Sequence, residues 1–390
     1  MAAWLVWALC YTVSIPVLML ALECLVGTFG GATHSAQTPS PSFIVLMPAH
    51  DEAAGIAHAV TAVREQLRPG DELVVVADNC TDDTAAIARA LGATVIERSD
   101  PIRRGKGYAL EFGRAFIDAT PDRSNAQIVL IVDADCHPAP GALQRLAATA
   151  AARDCTVQGA YLMECPDDAS PVVRVSCFAF LVKNLVRQRA LDRLAGAALL
   201  QGSGMAFPRA VFAEVRWATS SLVEDVGMGL DLLLRGHDVA FDAAAPFYSN
   251  ASSTSGTESQ RRRWEHGMLL TMQRYVPKLL ATSVFRFRGR LLISALDLTV
   301  PPTVLLAVLA FAVTAVSLVF GQFAFPVRLL LGADFVLACG IVAAWWKHGQ
   351  RILPPDRIGE IAAYILWKLP ILAQFVTRRE RRWIRTERKS

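Results

Sequence analysis

Apolar residues are distributed in two ways along this chain. At both ends they run almost unbroken for the length of a membrane span, whereas in the middle they come in short runs closed by Pro, Gly, Asp or Asn. Residues 4–26 carry one formal charge, Glu23, and are long enough to cross a hydrocarbon core as a helix. Residues 302–320 are free of charge and 329–346 hold only Asp334, so both are predicted transmembrane helices. In 358–376, Glu360, Tyr364 and Lys368 recur every four residues. That spacing puts them on one helix face and fits a helix lying at the membrane interface, which Pro370 is expected to disturb.

The middle reads differently. Phe43–Met47, Glu72–Ala77, Thr94–Glu97 and Ile128–Val132 are predicted strands. Helix-compatible stretches fall between them at 53–67, 83–91 and 107–118, the first stopped by Pro69-Gly70. This alternation predicts one α/β domain over residues 42–275, with a mostly parallel mixed sheet covered by helices.

Composition and charge add the surroundings. The chain has 390 residues, 53% of them hydrophobic, and a formal net charge of +4, which is room for more than one structural unit. No Lys or Arg precedes Arg64, so the basic start of a cleaved signal peptide is missing and residues 1–28 are expected to stay as an anchor. From Arg378 onward there are seven Lys or Arg against two Glu, a cluster that stays cytoplasmic and favours anionic lipid headgroups. Two C-terminal crossings return Lys347 and Arg351 to the inside, and a fourth full crossing would strand the tail outside. The expected organisation is therefore a cytoplasmic domain at 42–275, an interfacial segment at 276–300, two crossings within 301–346, and an interfacial helix with a basic tail at 347–390. This places the protein in the inner (cytoplasmic) membrane. Phe285, Arg286, Phe287, Arg288 and Arg290 mark a basic, aromatic approach to it. The eight cysteines show no metal-ligand spacing, and Asn79-Cys80-Thr81 matches a glycosylation acceptor only by accident if the domain is cytoplasmic. No nucleic-acid partner is expected.

Three of the predicted strands run into polar residues: Pro48-Ala49-His50-Asp51-Glu52, Asp78-Asn79, and Asp133-Ala134-Asp135. An open α/β sheet presents its ligands at such strand ends. A carboxylate after a strand is also an ordinary helix cap, so any one of these sites alone has a structural explanation. Asp78 suits a nucleotide base or ribose, and Asp51 or Glu52 the orientation of a nucleoside. Arg103-Arg104-Gly105-Lys106-Gly107 offers cations and flexible backbone before a helix, as a phosphate-facing loop would, without being a P-loop. Asp133 and Asp135 point the same way if the strand continues through them, and hard oxygen ligands of this kind suit Mg²⁺ or Mn²⁺ beside a diphosphate. Gly202-Ser203-Gly204 is a second flexible point. Glu224-Asp225 opens a helix-like stretch and pairs a candidate general base, Asp225, with Glu224, a residue able to hold a cation or orient a hydroxyl.

In order, Asp78, Asp133-Ala134-Asp135, Glu224-Asp225 and Gln260-Arg261-Arg262-Arg263-Trp264 resemble the motifs of family 2 glycosyltransferases with a GT-A fold, specifically the membrane enzymes related to cellulose, chitin and hyaluronan synthases. The resemblance spans about residues 42–275. It implies an inverting transfer from a nucleoside-diphosphate sugar, most often a UDP-hexose or UDP-N-acetylhexosamine. Asp225 would be the general base, and Gln260, Arg263 and Trp264 would line the site near the diphosphate and the acceptor sugar. Val223 stands where the family's common motif has threonine. Few crossings favour a single transfer to a polyprenyl-diphosphate-linked acceptor over processive synthesis, although pairing with a second copy or with polysaccharide-assembly partners could build a conduit. A non-catalytic scaffold would not need these carboxylates, and a nucleotidyltransferase would release diphosphate instead.

Overall fold

The computed structural model describes residues 2–30, 39–119, 126–217, 224–251, 254–319 and 324–377. In chain order the elements are α1 (Ala2–Phe29), β1 (Phe43–Ala49), α2 (Ile56–Arg64), β2 (Glu72–Asp78), α3 (Thr84–Ala90), β3 (Thr94–Arg98), α4 (Lys106–Ala119), β4 (Ile128–Ile131), β5 (Cys136–Pro138), α5 (Ala142–Arg153) and β6 (Thr156–Glu164). They continue with α6 (Pro171–Leu181), α7 (Arg187–Ala195), β7 (Met205–Pro208), α8 (Arg209–Glu214), α9 (Glu224–Arg235), β8 (Val239–Asn250), α10 (Thr254–Phe285), α11 (Gly289–Leu298), α12 (Thr303–Val319), α13 (Phe325–Ala344) and α14 (Glu360–Thr377). Val223 and the basic tail from Arg378 lie outside the described residues.

The chain divides into two units. The α/β unit takes residues 32–164 and 197–252. Among the described residues, eight strands form one sheet in the order β3-β2-β1-β4-β7-β6-β8-β5. β3, β2, β1 and β4 run parallel, β7 is antiparallel to β4 and β6, β8 is parallel to β6, and β5 is antiparallel to β8. Phe43 to Met47 of β1 and all of β4 are buried, as expected of strands covered on both faces. In α2 the buried residues Ile56, Ala59, Val60 and Val63 form one stripe. α4 lies close on the sheet at Gly113, where a Cβ would come within 2.5 Å of Leu46. The predicted strands and helices up to β4 are present within a few residues. The strand carrying Ile128 ends at Ile131, however, so Asp133 and Asp135 sit in a turn closed by Cys136 N–H donating to Asp133 O at 2.9 Å.

The helical unit takes residues 1–31, 165–196 and 253–386. Residues 165–196 and 253–275 thus group with the apolar helices and not with the sheet, a different boundary from the expected 42–275. The reason is apolar: Val175, Phe178 and Val182 join a cluster with Val6, Val17 and Leu20 of α1. α1 and Phe325–Gly349 are long and apolar enough to cross a membrane, and α11 and α12 make a bent pair at 80° that passes the same test only together. α1 and α13 approach closely at Gly340, where a Cβ would fall 2.9 Å from Cys24 Cβ, the small-residue contact typical of packed apolar helices. Glu23, the lone charge of α1, is fully buried and accepts from Arg187 Nε at 2.7 Å, while Arg187 Nη2 donates to Asp297 Oδ1 at 2.8 Å.

α14 turns its polar face inward. Glu360 lies 3.5 Å from Arg174 Nε, Lys368 Nζ lies 2.5 Å from Glu265 Oε1, and Tyr364 is buried, whereas Leu366 is exposed. The four-residue repeat therefore marks a protein-facing side, not a water-facing one. The helix also runs through Pro370 without the expected interruption.

Candidate functional site

In the α/β unit the C-terminal ends of β2, β1 and β4 are adjacent and parallel, so all three polar strand ends share one sheet edge. With strands about 4.8 Å apart, the edge is about 10 Å across. Each end has a different local arrangement.

After β1, Asp51 adopts a left-handed backbone with φ 52°. Its Oδ1 accepts from Thr81 N–H at 2.6 Å, which fastens the loop after β2 to the loop after β1. Glu52 N–H donates to Thr84 Oγ1 at 2.8 Å, and its carbonyl accepts from Ile56 N–H at 2.9 Å, starting α2. The backbones of both residues thus have structural roles. Asp51, Cys80 and Asp82 bring ligand atoms within 4.8 Å of one another; Asp51 accepts from Thr81 and Asp82 from Ala53 N–H, so hydrogen bonding accounts for that convergence. At the end of β2, the buried Asp78 accepts from Arg98 Nη1 at 2.6 Å and Asn79 Nδ2 at 2.9 Å, both at Oδ1. Arg98 also reaches Asp100 at 3.0 Å and lies over the Tyr108 ring. Asp78 is therefore part of an ion-pair network tying β2 to β3.

The densest cluster of charge follows β4. Lys106, first residue of α4, sets its Nζ 2.5 Å from Asp133 Oδ1 and donates to Gly202 O at 2.7 Å. Burial works against the ammonium charge, but Asp133, then Glu224 and Asp225, outweigh it and hold the pKa of Lys106 above its usual range. Gly202 (φ 93°) permits this approach: a Cβ there would lie 3.1 Å from Asp225 Oδ2, 3.4 Å from Lys106 Nζ and 3.9 Å from Asp133 Oδ2. Ser203 Oγ accepts from Asp133 N–H at 3.1 Å, and Gly204 (φ 66°) leaves room for the Phe247 ring. The flexible point at 202–204 is thus the backbone around which the charged groups close.

Asp133, Asp135 and Cys136 bring ligand atoms within 4.8 Å of one another. Burial, then the charge of Asp133, pushes the Cys136 thiol up to about 12, and it donates to Asp135 Oδ1 at 3.2 Å. A protonated thiol leaves two carboxylates as the donors, a set that fits a hard cation such as Mg²⁺ or Mn²⁺. Glu224 and Asp225 open α9. Burial, then the negative charge of Asp225, raises the Glu224 carboxyl to about 7, against the pull of Lys106.

A cleft of about 280 Å³, part of it open solvent, is lined by Lys106, Glu224 and Asp225 together with Met205, Arg216 and Met228. The sequence reading passed over Arg216, whose signal was an Arg-Trp pair just upstream of Glu224-Asp225. Trp217 also borders the cleft, with its indole N–H donating to Phe212 O at 3.2 Å.

Gln260, Arg263 and Trp264 belong to the helical unit, on α10. Gln260 is buried, and Arg263 and Trp264 are half-buried. Arg261 donates from Nε to Ser176 Oγ at 2.7 Å and from Nη2 to Ser176 O at 2.9 Å. Its guanidinium lies 5.3 Å from the Trp264 ring centroid, and Trp264 stacks on Phe180 with centroids 5.6 Å apart. Arg261 thus holds the indole in place.

The mixed sheet, with paired carboxylates beyond one parallel strand end, a lysine at a helix start and an acidic pair opening a second helix, has GT-A architecture. The chain belongs to the glycosyltransferase-like family 2, whose model matches residues 39–267, more than half of its length. It is 37% identical over 101 residues to the low-salt glycan biosynthesis hexosyltransferase Agl6 of Haloferax volcanii, a match covering 25% of this chain and 22% of that protein. The chain therefore spans about a fifth of that relative. Among solved structures, the mannosyltransferase PcManGT from Pyrobaculum calidifontis, in complex with GDP-Man and Mn²⁺, has a TM-score of 0.56 at 18% identity, covering 93% of this chain and 99% of that one. The likeness is one of fold.

Proposed function

We propose that the protein is a membrane-held, divalent-cation-dependent, inverting glycosyltransferase that moves one sugar from a nucleoside-diphosphate donor to a polyprenyl-diphosphate-linked acceptor. The observation that carries this reading is the meeting of Asp133, Lys106 and Asp225 around Gly202: a carboxylate suited to a hard cation, an ammonium able to face phosphate and a candidate base lie side by side. Asp133 and Asp135 would hold Mg²⁺ or Mn²⁺, which when bound offsets charge on the departing diphosphate. Lys106 sits where the start of a 14-residue helix also favours phosphate. Asp225 takes the proton of the acceptor hydroxyl. The hydroxyl oxygen bonds to the anomeric carbon, and the carbon–oxygen bond to the diphosphate breaks with its electron pair leaving on the nucleotide. Asp78, Asp51 and Glu52 are proposed for the nucleoside end of the donor.

A UDP-hexose or UDP-N-acetylhexosamine is the first donor to test. A GDP-sugar, the donor class bound in the PcManGT structure, is the second. Gln260, Arg263 and Trp264 keep the diphosphate and acceptor roles that the resemblance implies. The orientation we infer puts the α/β unit in the cytoplasm, with the basic C-terminal residues. Two helices able to cross among the described residues, or three with the bent pair, are few for a polysaccharide conduit and support single transfer over processive synthesis.

The test is Asp133→Asn and Asp135→Asn, assayed against Mn²⁺ concentration. Each is expected to lower transfer and raise the Mn²⁺ requirement. Near-normal kinetics with unchanged metal dependence in both would remove the assignment.

A further inference from the structure

We propose that the junction of α10 and α11, residues 284–290, is an interfacial anchor that inserts its aromatic rings among lipid acyl chains and sets Arg286 and Arg288 against anionic phospholipid headgroups. The proposal rests on the membrane-held reading above.

Four observations within the helical unit converge. First, the turn exposes apolar groups without covering them: Val284 is 66% exposed, Phe285 82% and Phe287 96%. Contiguous apolar exposure of this kind marks a binding or membrane surface. Second, the backbone of the turn does not call for an aromatic. α10 ends with Arg288 N–H donating to Ser283 O at 3.0 Å and Phe287 N–H to Val284 O at 3.4 Å, and Phe287 has φ 50°. This left-handed helix-ending position is one that glycine usually fills, and a side chain there is strained. A bulky ring at that position, projecting into solvent, adds nothing to the stability of the turn.

Third, charge alternates with the rings. Arg286 is exposed and Arg288 half-buried, giving the aromatic-plus-basic composition of segments that lie in the headgroup region. Basic side chains there are attracted to an anionic surface. Fourth, α11 is bent 80° from α12. If α12 runs along the bilayer normal, α11 lies close to the bilayer plane, which carries the turn at its start along the interface. On α12 and α13, Phe311 and Phe335 are also exposed.

The experiment uses the full chain in nanodiscs of phosphatidylcholine, with and without phosphatidylglycerol, carrying photoreactive benzoylphenylalanine in place of Phe287 or, as the reference, of Phe335 on α13. After irradiation, intact mass reports what each position has captured. The expected result is a phospholipid adduct at both positions. The adduct at 287 should be enriched several-fold for phosphatidylglycerol, and this enrichment should fall in Arg286→Gln/Arg288→Gln while capture itself persists. Lipid capture at 335 with none at 287 overturns the proposal and leaves the membrane reading standing. Capture of a second copy of the chain at 287 overturns it in favour of a self-association surface. Absence of lipid adducts at both positions removes the membrane reading and this proposal together.

Discussion

Glu224 and Asp225 are neighbours in sequence that face different demands. Asp225 points toward Gly202, whereas Glu224 is raised to about 7 by burial and by Asp225. Asp225→Asn keeps shape but removes the base, so turnover should fall by about 10²–10⁴-fold while donor binding, read by calorimetry, is kept. Wild-type turnover at saturating substrate would reject the role. For Glu224 the folded pKa lies above the ordinary carboxyl value of 4.5, so the folded state binds more protons between pH 4.5 and about 7. Stability is then greatest below that window and declines as pH rises through it, by about 3 kcal/mol. Thermal melts in EDTA at pH 5 and pH 8 should show this decline in the wild type and a smaller one in Glu224→Gln; equal slopes would contradict it. The carboxylates themselves could be read from the sequence because each follows an apolar run or opens a helix. What could not be read is what each one bonds: the Arg98 partner of Asp78 comes from β3, and the Lys106 partner of Asp133 from α4, contacts that no local pattern encodes.

At the scale of elements, the buried parallel strands were legible because a strand covered on both faces is continuously apolar. The strands after β4 were not read: β5 and β7 are only three and four residues long, and β6 and β8 mix Gln, Glu, Asp, Ser and Asn with their apolar residues. The face of α14 was misleading for a physical reason: a helix beside lipid can hide its charges against protein and show its apolar side. Lys368 and Glu265 are both nearly buried, so Lys368→Met, which strands a buried carboxylate, should cost about 3–5 kcal/mol and lower the melting temperature in detergent. Adding Glu265→Gln to the same chain should recover much of that loss. Similar melting of the single and double variants would show that the pair does not hold α14. Arg187→Met should weaken the docking of α1 in the same way, because Glu23 and Asp297 would then face each other without the guanidinium between them.

For the whole molecule, the family is shown by the match over residues 39–267, and the chemistry we propose rests on the sheet edge. The division into units was not visible in the sequence, because α6 and α7 lie between strands and read as part of the α/β alternation; their apolar partners lie more than 150 residues away on α1. The most direct test of the account combines purified full-length protein in nanodiscs, Mn²⁺, a panel of UDP-, GDP- and dTDP-sugars, and defined polyprenyl-diphosphate-linked acceptors. Released nucleotide and product mass are measured on the same sample. The predicted result is one sugar increment on the acceptor for each nucleoside diphosphate released, lost on chelation of the metal and lost in Asp225→Asn. Release of inorganic diphosphate with a nucleotide-bearing product, or a long product ladder made by the isolated protein, would contradict it.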